Sequence, residues 1–426
     1  MKTVKPKEEA LIVPIVLGGV FEWFEVFLLI SWAPIMQKNF FDLSIPLSEL
    51  IYAVFILASG LIARPLGGII FGYIGDRWGR KTSFLFSIGI LATHGLMVAL
   101  MPSFASWAYA SLIYIGLARF LQGIPAGGEL PGALCLLSEG ATRDRRRYLC
   151  SYLFVGPQIG QILSMLLFWT LTTHLTLEEL SDWGWRLCFM ISSIIGIIGL
   201  FINKFLREYI HESDSFSEIK ADDRLEKKPI RESFRHYKKK IGIAFGLSIF
   251  EIMGFFMIYF YLFTNSTEIL NIKQSYRPWV YCIYAIAITI AMPLLGKLNN
   301  RYKSRDLLKL STFLIIFFSF VLCFAITNDH TFLIFLILTI ISILFCVHFS
   351  FLPSFIADLF PVAVRFTCIG FSFNIADSLI GEIAPLIGDW LVKTTGKQGA
   401  FTMLFPLSGL IFLLSLRLAK EADRIE

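Results

Sequence analysis

Ionisable side chains interrupt several apolar stretches of this sequence, and their chemistry suits them to binding protons or a polar solute. Glu22 and Glu25 are three residues apart, so they share one face if the stretch is helical. Arg119, Gln122 and Glu129 likewise fall within a sector of roughly 80° on a helix. A charge inside an apolar helix costs about 2.5–3.5 kcal/mol on insertion scales, so such groups usually face a wet cavity or a partner.

A second set of polar residues lies in the last third of the chain. Asn374 and Asp377 share a face of one helix, and Gly370 and Gly381 lie on the same line, which lets another element approach. These positions add candidate polar residues from the second half of the chain. The remaining intramembrane candidates are Arg64, Glu251 and Glu382.

The composition is that of an integral membrane protein. Of 426 residues, 56% are hydrophobic and 16% charged, and the mean hydropathy is +0.69, so the chain has too little polar surface for a soluble globule. The net charge of +6 arises from loops, so we expect a lipid bilayer and no nucleic acid as its environment. Twelve apolar stretches predict twelve transmembrane helices, at about 11–34, 49–73, 83–101, 106–138, 149–172, 184–206, 241–263, 278–298, 307–327, 331–357, 366–392 and 400–418.

The distribution of Lys and Arg predicts the orientation in the membrane. The turns after helices 2, 4, 6, 8 and 10 hold most of these residues, whereas the opposite turns hold few. Positive charge resists transfer to the outer face, so the basic turns and both termini are expected in the cytoplasm.

An internal repeat divides the chain into two halves. Residues 72–81 read GYIGDRWGRK, and a weaker copy at 296–305 reads GKLNNRYKSR, with Asn300 in place of Asp76. Gating is therefore expected to depend mainly on the N-terminal copy. We expect six-helix halves at 1–206 and 241–426, joined by a charged cytoplasmic loop at 207–240 in which Ile230, Phe234 and Tyr237 suggest a short amphipathic helix at the membrane surface.

The first copy resembles the signature loop between the second and third helices of the major facilitator superfamily of transporters. The resemblance implies two pseudo-symmetric six-helix halves that alternate access to a central site. Asp76 can lie at a positive helix N-terminus. A second repeat supports the division, since Glu139 and Asp358 each precede an arginine by seven residues. The expected gating residues are Gly72, Asp76, Arg77, Arg80, Lys81, Glu139, Arg146, Asp358 and Arg365.

Further motifs are similar to those of the metabolite:proton symporter family within that superfamily. Members take up proline and betaine, 2-oxoglutarate, citrate or shikimate, which implies a bacterial inner-membrane importer of a small polar metabolite, expected as a monomer without cofactor or metal. Glu25 stands where the family usually has Asp, and Glu382 where it favours Gly. The motifs are EWFE at 22–25, ARPLGG at 63–68, RFLQG at 119–123, GGE at 127–129, WGWR at 183–186 and LFPVAVRFT at 359–367.

Proton coupling is expected from an acid that changes partners during the transport cycle. Pairing with Arg64 or Arg119 would favour the carboxylate, and an open cavity would favour the protonated acid. This role is assigned first to Glu25 or Glu22 and then to Glu129; fixed ion pairs between helices are the alternative. His94 and His348 are expected as hydrogen-bonded core residues rather than proton relays.

The substrate and the direction of transport stay open. Acids outnumber arginines in the predicted helices, which favours a zwitterion over a di- or tricarboxylate. Residues 156–160, GPQIG, partly match a motif of drug:proton antiporters, so a proton-coupled exporter of amphiphilic compounds is the alternative. A membrane sensor would carry a larger soluble domain. An enzyme is not expected, because the sequence shows no nucleophile–base pair, metal cluster or cofactor loop.

Overall fold

The computed structural model describes most of the chain. The described residues are 8–40, 48–102, 104–107, 109–205, 212–222, 225–262, 265, 269, 277–297, 303–381 and 383–422. Helix accounts for nearly all of them, and these ranges contain no β-strand. The predicted all-α fold class is confirmed.

Twelve helices within the described ranges overlap the twelve predicted apolar stretches; eleven have 18 or more residues, and the eleventh in order has 12 and is followed by a π turn and the helix Ala384–Thr395. The first six are Ile12–Phe40 (α1), Ser48–Trp78 (α2), Arg80–Ala99 (α3), Tyr109–Gly140 (α4), Val155–His174 (α5) and Trp185–Phe205 (α6). The other six are Lys238–Phe255 (α7), Arg277–Lys297 (α8), Ser304–Thr327 (α9), Thr331–Asp358 (α10), Arg365–Ala376 (α11) and Leu404–Ala422 (α12).

The outer surface of the bundle is suited to lipid. By length and composition, eight helical segments among the described residues can cross a membrane. On α9, Phe313, Phe317, Phe320 and Phe324 recur at helical spacing and are each 50–60% exposed. A continuous exposed row of phenylalanines is stable against acyl chains but not against water.

Two of the long helices continue into π-helical turns. Helix α7 runs into the turn Phe256–Tyr261, and α11 runs into the turn Asp377–Gly381, after which Ala384–Thr395 is again α-helical. A π turn accommodates an extra residue, which shifts the direction of the side chains that follow it. Asp377, a candidate site residue, begins such a turn.

Helices α2 and α11 pack backbone against backbone, which only glycine permits here. A Cβ added to Gly68 would lie 2.4 Å from the carbonyl oxygen of Gly370, and one added to Gly72 would lie 2.7 Å from the Cα of Thr367. This close contact at Gly68 and Gly72 joins the first six helices to the last six. The division into domains at 206 and 241 stays a prediction.

Two short helices, Asp214–Ala221 and Pro229–His236, lie between α6 and α7. The second matches the expected amphipathic helix, but the ring of Phe234 packs edge-on against Phe371 of α11 at 4.6 Å. The helix therefore packs on the bundle, whereas the sequence suggested a position at the membrane surface.

Candidate functional site

Arg80 is the centre of what we call the basic end of the bundle, the end that carries Arg80, Arg146 and Arg365. Its side chain is fully buried. The Arg80 Nε donates to Glu139 Oε2 at 3.0 Å, and Nη2 donates to Glu139 Oε1 at 3.2 Å. Nη2 also donates to the carbonyl oxygen of Val362, which follows α10. Arg80 therefore links the two halves at this end.

The two acid-to-arginine repeats exchange partners across the halves. Glu139 Oε1 accepts a hydrogen bond from Arg365 Nη1 at 3.1 Å, and Asp358 Oδ1 accepts one from Arg146 Nη1. In sequence each acid precedes an arginine of its own half, whereas the structure pairs it with the arginine of the other half. The Glu139 side chain is fully buried and that of Asp358 is 56% exposed, so the first pair contributes more to closure.

Asp76 caps the first turn of α11. Its Oδ1 accepts from the backbone amide of Phe366 at 3.2 Å and its Oδ2 from that of Thr367 at 2.9 Å. Amides in a first helical turn have no partner within the helix, and the helix dipole favours an anion there. The expected position at a helix N-terminus is confirmed, and the helix belongs to the other half.

The remaining candidates of the first loop contact the segment between α6 and α7. Arg77 is exposed, and its Nη1 donates to the carbonyl oxygen of Lys227 at 2.9 Å. Lys81 is half-buried, and its backbone amide donates to Glu212. The loop between α2 and α3, which was expected to take part in gating, therefore also contacts the segment between α6 and α7.

Sequence reasoning missed Glu212, Ser213 and Phe216. Glu212 Oε1 accepts from the backbone amide of Arg80 at 2.7 Å, and Ser213 Oγ donates to Glu139 Oε2 at 2.9 Å. The ring of Phe216 lies 4.5 Å below the Arg80 guanidinium. Burial raises the pKa of the Glu212 carboxyl, and the two amide donors offset part of that rise.

Gly79 makes this contact possible. It has φ +121°, and a Cβ at this position would lie 2.3 Å from Glu212 Oε2. The N-cap Ser213, which accepts from the Phe216 amide at 3.1 Å, is the sequence signal that could have found the short helix. No sequence signal indicates what that helix contacts.

A second group of charges, here called the intramembrane cluster, consists of Glu22, Arg64, Glu129 and Asp377. Arg64 Nη1 donates to Asp377 Oδ2, which joins α2 to the π turn after α11. Arg64 Nη2 lies 3.9 Å from Glu22 Oε1, and the guanidinium lies 6.0 Å from the ring centre of Trp23. Arg64 thus stands between one acid of each half.

Glu22 and Glu129 bring two carboxyl groups together. Each residue is 2% exposed, and the two buried carboxyl groups lie close enough to interact. Two ionised carboxylates in one buried site repel each other, which favours a proton on one of them. This pair can therefore hold one proton between α1 and α4.

Asn374 strengthens the contact between the halves. Its Nδ2 donates to the carbonyl oxygens of Gly127 on α4 at 2.7 Å and of Gly370 at 2.6 Å. Asn374 and Asp377 share a face, as their spacing predicted, and the structure turns that face toward the N-terminal half. Gly381 was expected on the same line, but a Cβ there would meet the ring of Phe256 on α7, because the π turn shifts the helical phase.

Glu22 and Glu25 lie three residues apart on α1, yet their carboxyl groups have different partners. Glu25 is fully buried; its Oε2 lies 2.8 Å from His94 Nδ1, and its Oε1 accepts from Ser192 Oγ at 2.6 Å. These partners belong to α3 and α6. Residues three apart differ by about 60° around a helix. Because other helices pack on several sides of α1, each acid meets a different neighbour. His94 is the hydrogen-bonded core residue that was predicted.

The other candidates are placed separately. Arg119 Nη1 donates to Gln122 Oε1 at 2.5 Å on α4, which confirms that they share a face. Glu251 of α7 is 3% exposed, and its Oε1 has no hydrogen-bond partner in the described part of the chain. Glu382 lies outside the described residues. His348 Nε2 lies 3.1 Å from Ser311 Oγ, so it too is a bonded core histidine.

Comparison with known proteins agrees with this architecture. The family model described as Major Facilitator Superfamily matches residues 15–381. A putative proline/betaine transporter of Staphylococcus aureus (strain COL) is 28% identical over 389 residues, which are 89% of this chain and 81% of that protein. The inner membrane metabolite transport protein YhjE of Escherichia coli (strain K12) is 28% identical over 411 residues, covering 95% of this chain and 92% of that protein.

The fold is similar to that of solved transporters. The proton:xylose symporter XylE bound to 6-bromo-6-deoxy-D-glucose superimposes with a TM-score of 0.77 and 16% identity, covering 96% of this chain and 94% of that chain. At this identity the likeness concerns the fold alone. The family model, by contrast, spans most of the sequence. The chain therefore belongs to the Major Facilitator Superfamily, a family of integral membrane transporters and not of enzymes.

Proposed function

We propose that this protein is a proton-coupled symporter that imports a small polar metabolite by alternating access. The observation that carries the proposal is the intramembrane cluster, in which Arg64 joins Asp377 of one half to the Glu22–Glu129 carboxyl pair of the other. The names of the relatives, a proline/betaine transporter and a metabolite transport protein, support the solute class.

The orientation follows from the basic turns. Cations resist transfer across the membrane, so we assign the basic end and both termini to the cytoplasm of a bacterial cell, with the chain in the inner membrane. The contacts of Arg80, Glu139 and Arg365 then correspond to a state closed on the cytoplasmic side. Both halves of the site come from one chain, which supports a monomer as the working unit.

Opening of the basic end would release the proton. Separation of α2 from α11 moves Asp377 away from Arg64. Arg64 can then form a closer ion pair with Glu22. The cation favours ionised Glu22, so the proton held by Glu22 and Glu129 leaves to cytoplasmic water. On return, Arg64 pairs with Asp377 again, and the carboxyl pair can take a proton from outside.

Glu25 is a weaker candidate for this step. It contacts His94 and Ser192 of its own half and does not lie at the boundary that opens. We therefore assign proton transfer to Glu22 and Glu129 ahead of Glu25, and we assign Glu25 to holding α1 against α3 and α6.

The charge balance of the site favours a zwitterion such as proline, betaine or another amino acid. Within the apolar stretches, five described acids, Glu22, Glu25, Glu129, Glu251 and Asp377, accompany two arginines, Arg64 and Arg119. A di- or tricarboxylate, the next candidate, would meet more repulsion than attraction in such a site.

The antiporter alternative depends on the GPQIG motif of α5. A Cβ added to Gly156 or Gly160 would lie 2.3 Å from the carbonyl oxygen of Val16 or Val20 on α1. Close packing of α1 and α5 therefore accounts for both glycines without a role in export.

The test is proton influx into proteoliposomes that contain the full chain. A zwitterion pool of proline, betaine and neutral amino acids is added first, and a pool of 2-oxoglutarate, citrate and shikimate second. We expect influx with the zwitterions. Influx with the carboxylates alone would overturn the zwitterion assignment. No proton influx with either pool, together with efflux of amphiphilic compounds from everted vesicles, would overturn symport.

A further inference from the structure

Helix α5 carries polar side chains that the coupling mechanism does not use. Gln158, Gln161 and Ser164 recur every three residues and are at most 1% exposed. Among the described residues, Gln158 Oε1, both amide atoms of Gln161 and Ser164 Oγ have no hydrogen-bond partner. A buried amide or hydroxyl without a partner destabilises the folded chain, so a row of them indicates a ligand.

The contacts of α5 define where the two glutamines point. Gly156 and Gly160 face α1, and Trp169 packs against Trp279 of α8 with ring centres 5.0 Å apart. At about 100° per residue, Gln158 and Gln161 lie between these two faces and opposite the exposed Leu163. They therefore point into the interior between α1 of the first half and α8 of the second.

Two further unpartnered groups border the same interior. Trp23 of α1 is 7% exposed and packs edge-on against Phe255 of α7 at 5.1 Å. Glu251 lies one turn before Phe255, so it faces the same side of α7. In the described part of the molecule, Trp23 Nε1 and Glu251 Oε1 have no hydrogen-bond partner.

We propose that Gln158 and Gln161 of α5, Trp23 of α1 and Glu251 of α7 form the recognition site for a small zwitterion that carries at least one N–H group. The inference rests on the proposed symport function and specifies its substrate. Trp23 Nε1 and the Gln161 amide nitrogen are donors for the carboxylate. Glu251 Oε1 and Gln158 Oε1 are acceptors for the N–H of the substrate.

This division of donors and acceptors predicts selectivity among zwitterions of similar size. Proline carries both a carboxylate and N–H groups, so it satisfies both sets. Glycine betaine has the carboxylate but no N–H, so it leaves the two acceptors buried without partners. A site built for a hydrogen bond discriminates strongly against a ligand that lacks the group.

The experiment measures binding of L-proline and glycine betaine to the purified full chain by titration calorimetry, and proton influx with each in proteoliposomes. We expect proline to bind at least about tenfold more tightly than betaine. Gln158→Met removes an acceptor and should reduce the preference for proline about tenfold. Trp23→Phe removes a donor for the carboxylate and should weaken both ligands equally, leaving the preference unchanged.

Thr170→Val is the matched control on the same helix. Thr170 is exposed, and its hydroxyl already donates to the Leu166 carbonyl at 2.8 Å, so this change should leave both affinities unaltered. Melting temperature establishes that each variant is folded. Should Gln158→Met not fold, Gln161→Met is the replacement, with weaker binding of both zwitterions expected and unchanged binding of both overturning the site.

The outcomes separate this inference from the proposed function. Equal affinity for the two zwitterions, or an unchanged preference in Gln158→Met, overturns the recognition site while proton influx still supports symport. Response to the carboxylate pool alone overturns the substrate class and again leaves symport standing. Absence of both binding and proton influx for every solute, with the wild-type chain folded, overturns both the recognition site and the proposed symport.

Discussion

Glu139 Oε1 and Arg365 Nη1 lie 3.1 Å apart across the boundary between the two halves. Arg80 donates to the same carboxylate from within the first half. Arg146 and Asp358 form the corresponding pair from the repeated positions. Both arginine–acid contacts are therefore made between halves and must break when the basic end opens. Burial makes the Glu139 contact the stronger of the two.

Replacing Glu139 should open the basic end. Glu139→Gln leaves Arg80 and Arg365 buried without their carboxylate, a loss of roughly 3–5 kcal/mol for a broken buried pair. We expect faster hydrogen exchange in the amides of Arg365–Ala376 and a lower melting temperature. Asp358→Asn is the matched comparison, because an exposed pair contributes about 0–1 kcal/mol. Equal effects of the two changes would contradict the ranking.

Asp76 should act on the other half through the first turn of α11. Asp76→Asn keeps an oxygen acceptor but removes the charge that faces two amides and the buried Arg80 guanidinium 3.1 Å away, so we expect a loss larger than the about 1 kcal/mol of a cap alone. We expect faster exchange at the Thr367 amide and slower transport.

The control for Asp76 is Asp306→Asn. Asp306 also lies in the first turn of a helix, but that helix, α9, belongs to its own half of the chain. It should leave transport and exchange at α11 unchanged, and a loss of transport in the control as large as that in Asp76→Asn would argue against a specific cap.

Glu129 and Glu25 should give opposite results on charge removal. In Glu129→Gln we expect loss of proton-driven accumulation with retention of solute exchange, since the carboxyl pair with Glu22 is lost. In Glu25→Gln we expect a lower melting temperature with coupling retained, because the contact with His94 lies within one half. Measuring accumulation and exchange in the same vesicles separates the two. Loss of coupling only in Glu25→Gln would reverse the assignment.

The contribution of Glu212 to folding stability should fall as pH rises. Burial raises the pKa of Glu212 above its ordinary value of 4.5, so the folded chain holds this proton more tightly than the unfolded chain. The stability gained is complete below about pH 4.5 and is lost as pH rises through the raised pKa.

Glu212→Gln isolates this effect. The variant keeps Arg80 and Glu139, which also face this position, so the difference in melting temperature between the two proteins reports Glu212 alone. We expect wild type to lose more stability than Glu212→Gln between pH 4.5 and 7. Parallel pH curves would show that Glu212 does not titrate in this range.

The sequence alone predicted the fold class, the twelve helices and most candidate residues. Length and hydropathy determine which stretches span a membrane, because the bilayer requires about 20 apolar residues in a helix. Charges within such stretches are costly, so they mark candidate functional positions. Arg64, Glu129 and Asp377 were found in this way.

Only the tertiary structure decided which of these groups meet. The seven-residue spacing of Glu139 was visible, but its partner Arg365 is 226 residues away and is reached only when the halves pack. Glu22 and Glu25 looked equivalent by helical spacing, yet the helices around α1 give one an acid partner and the other a histidine. Helical periodicity is a local property of the chain, whereas pairing depends on which faces the folded bundle brings together.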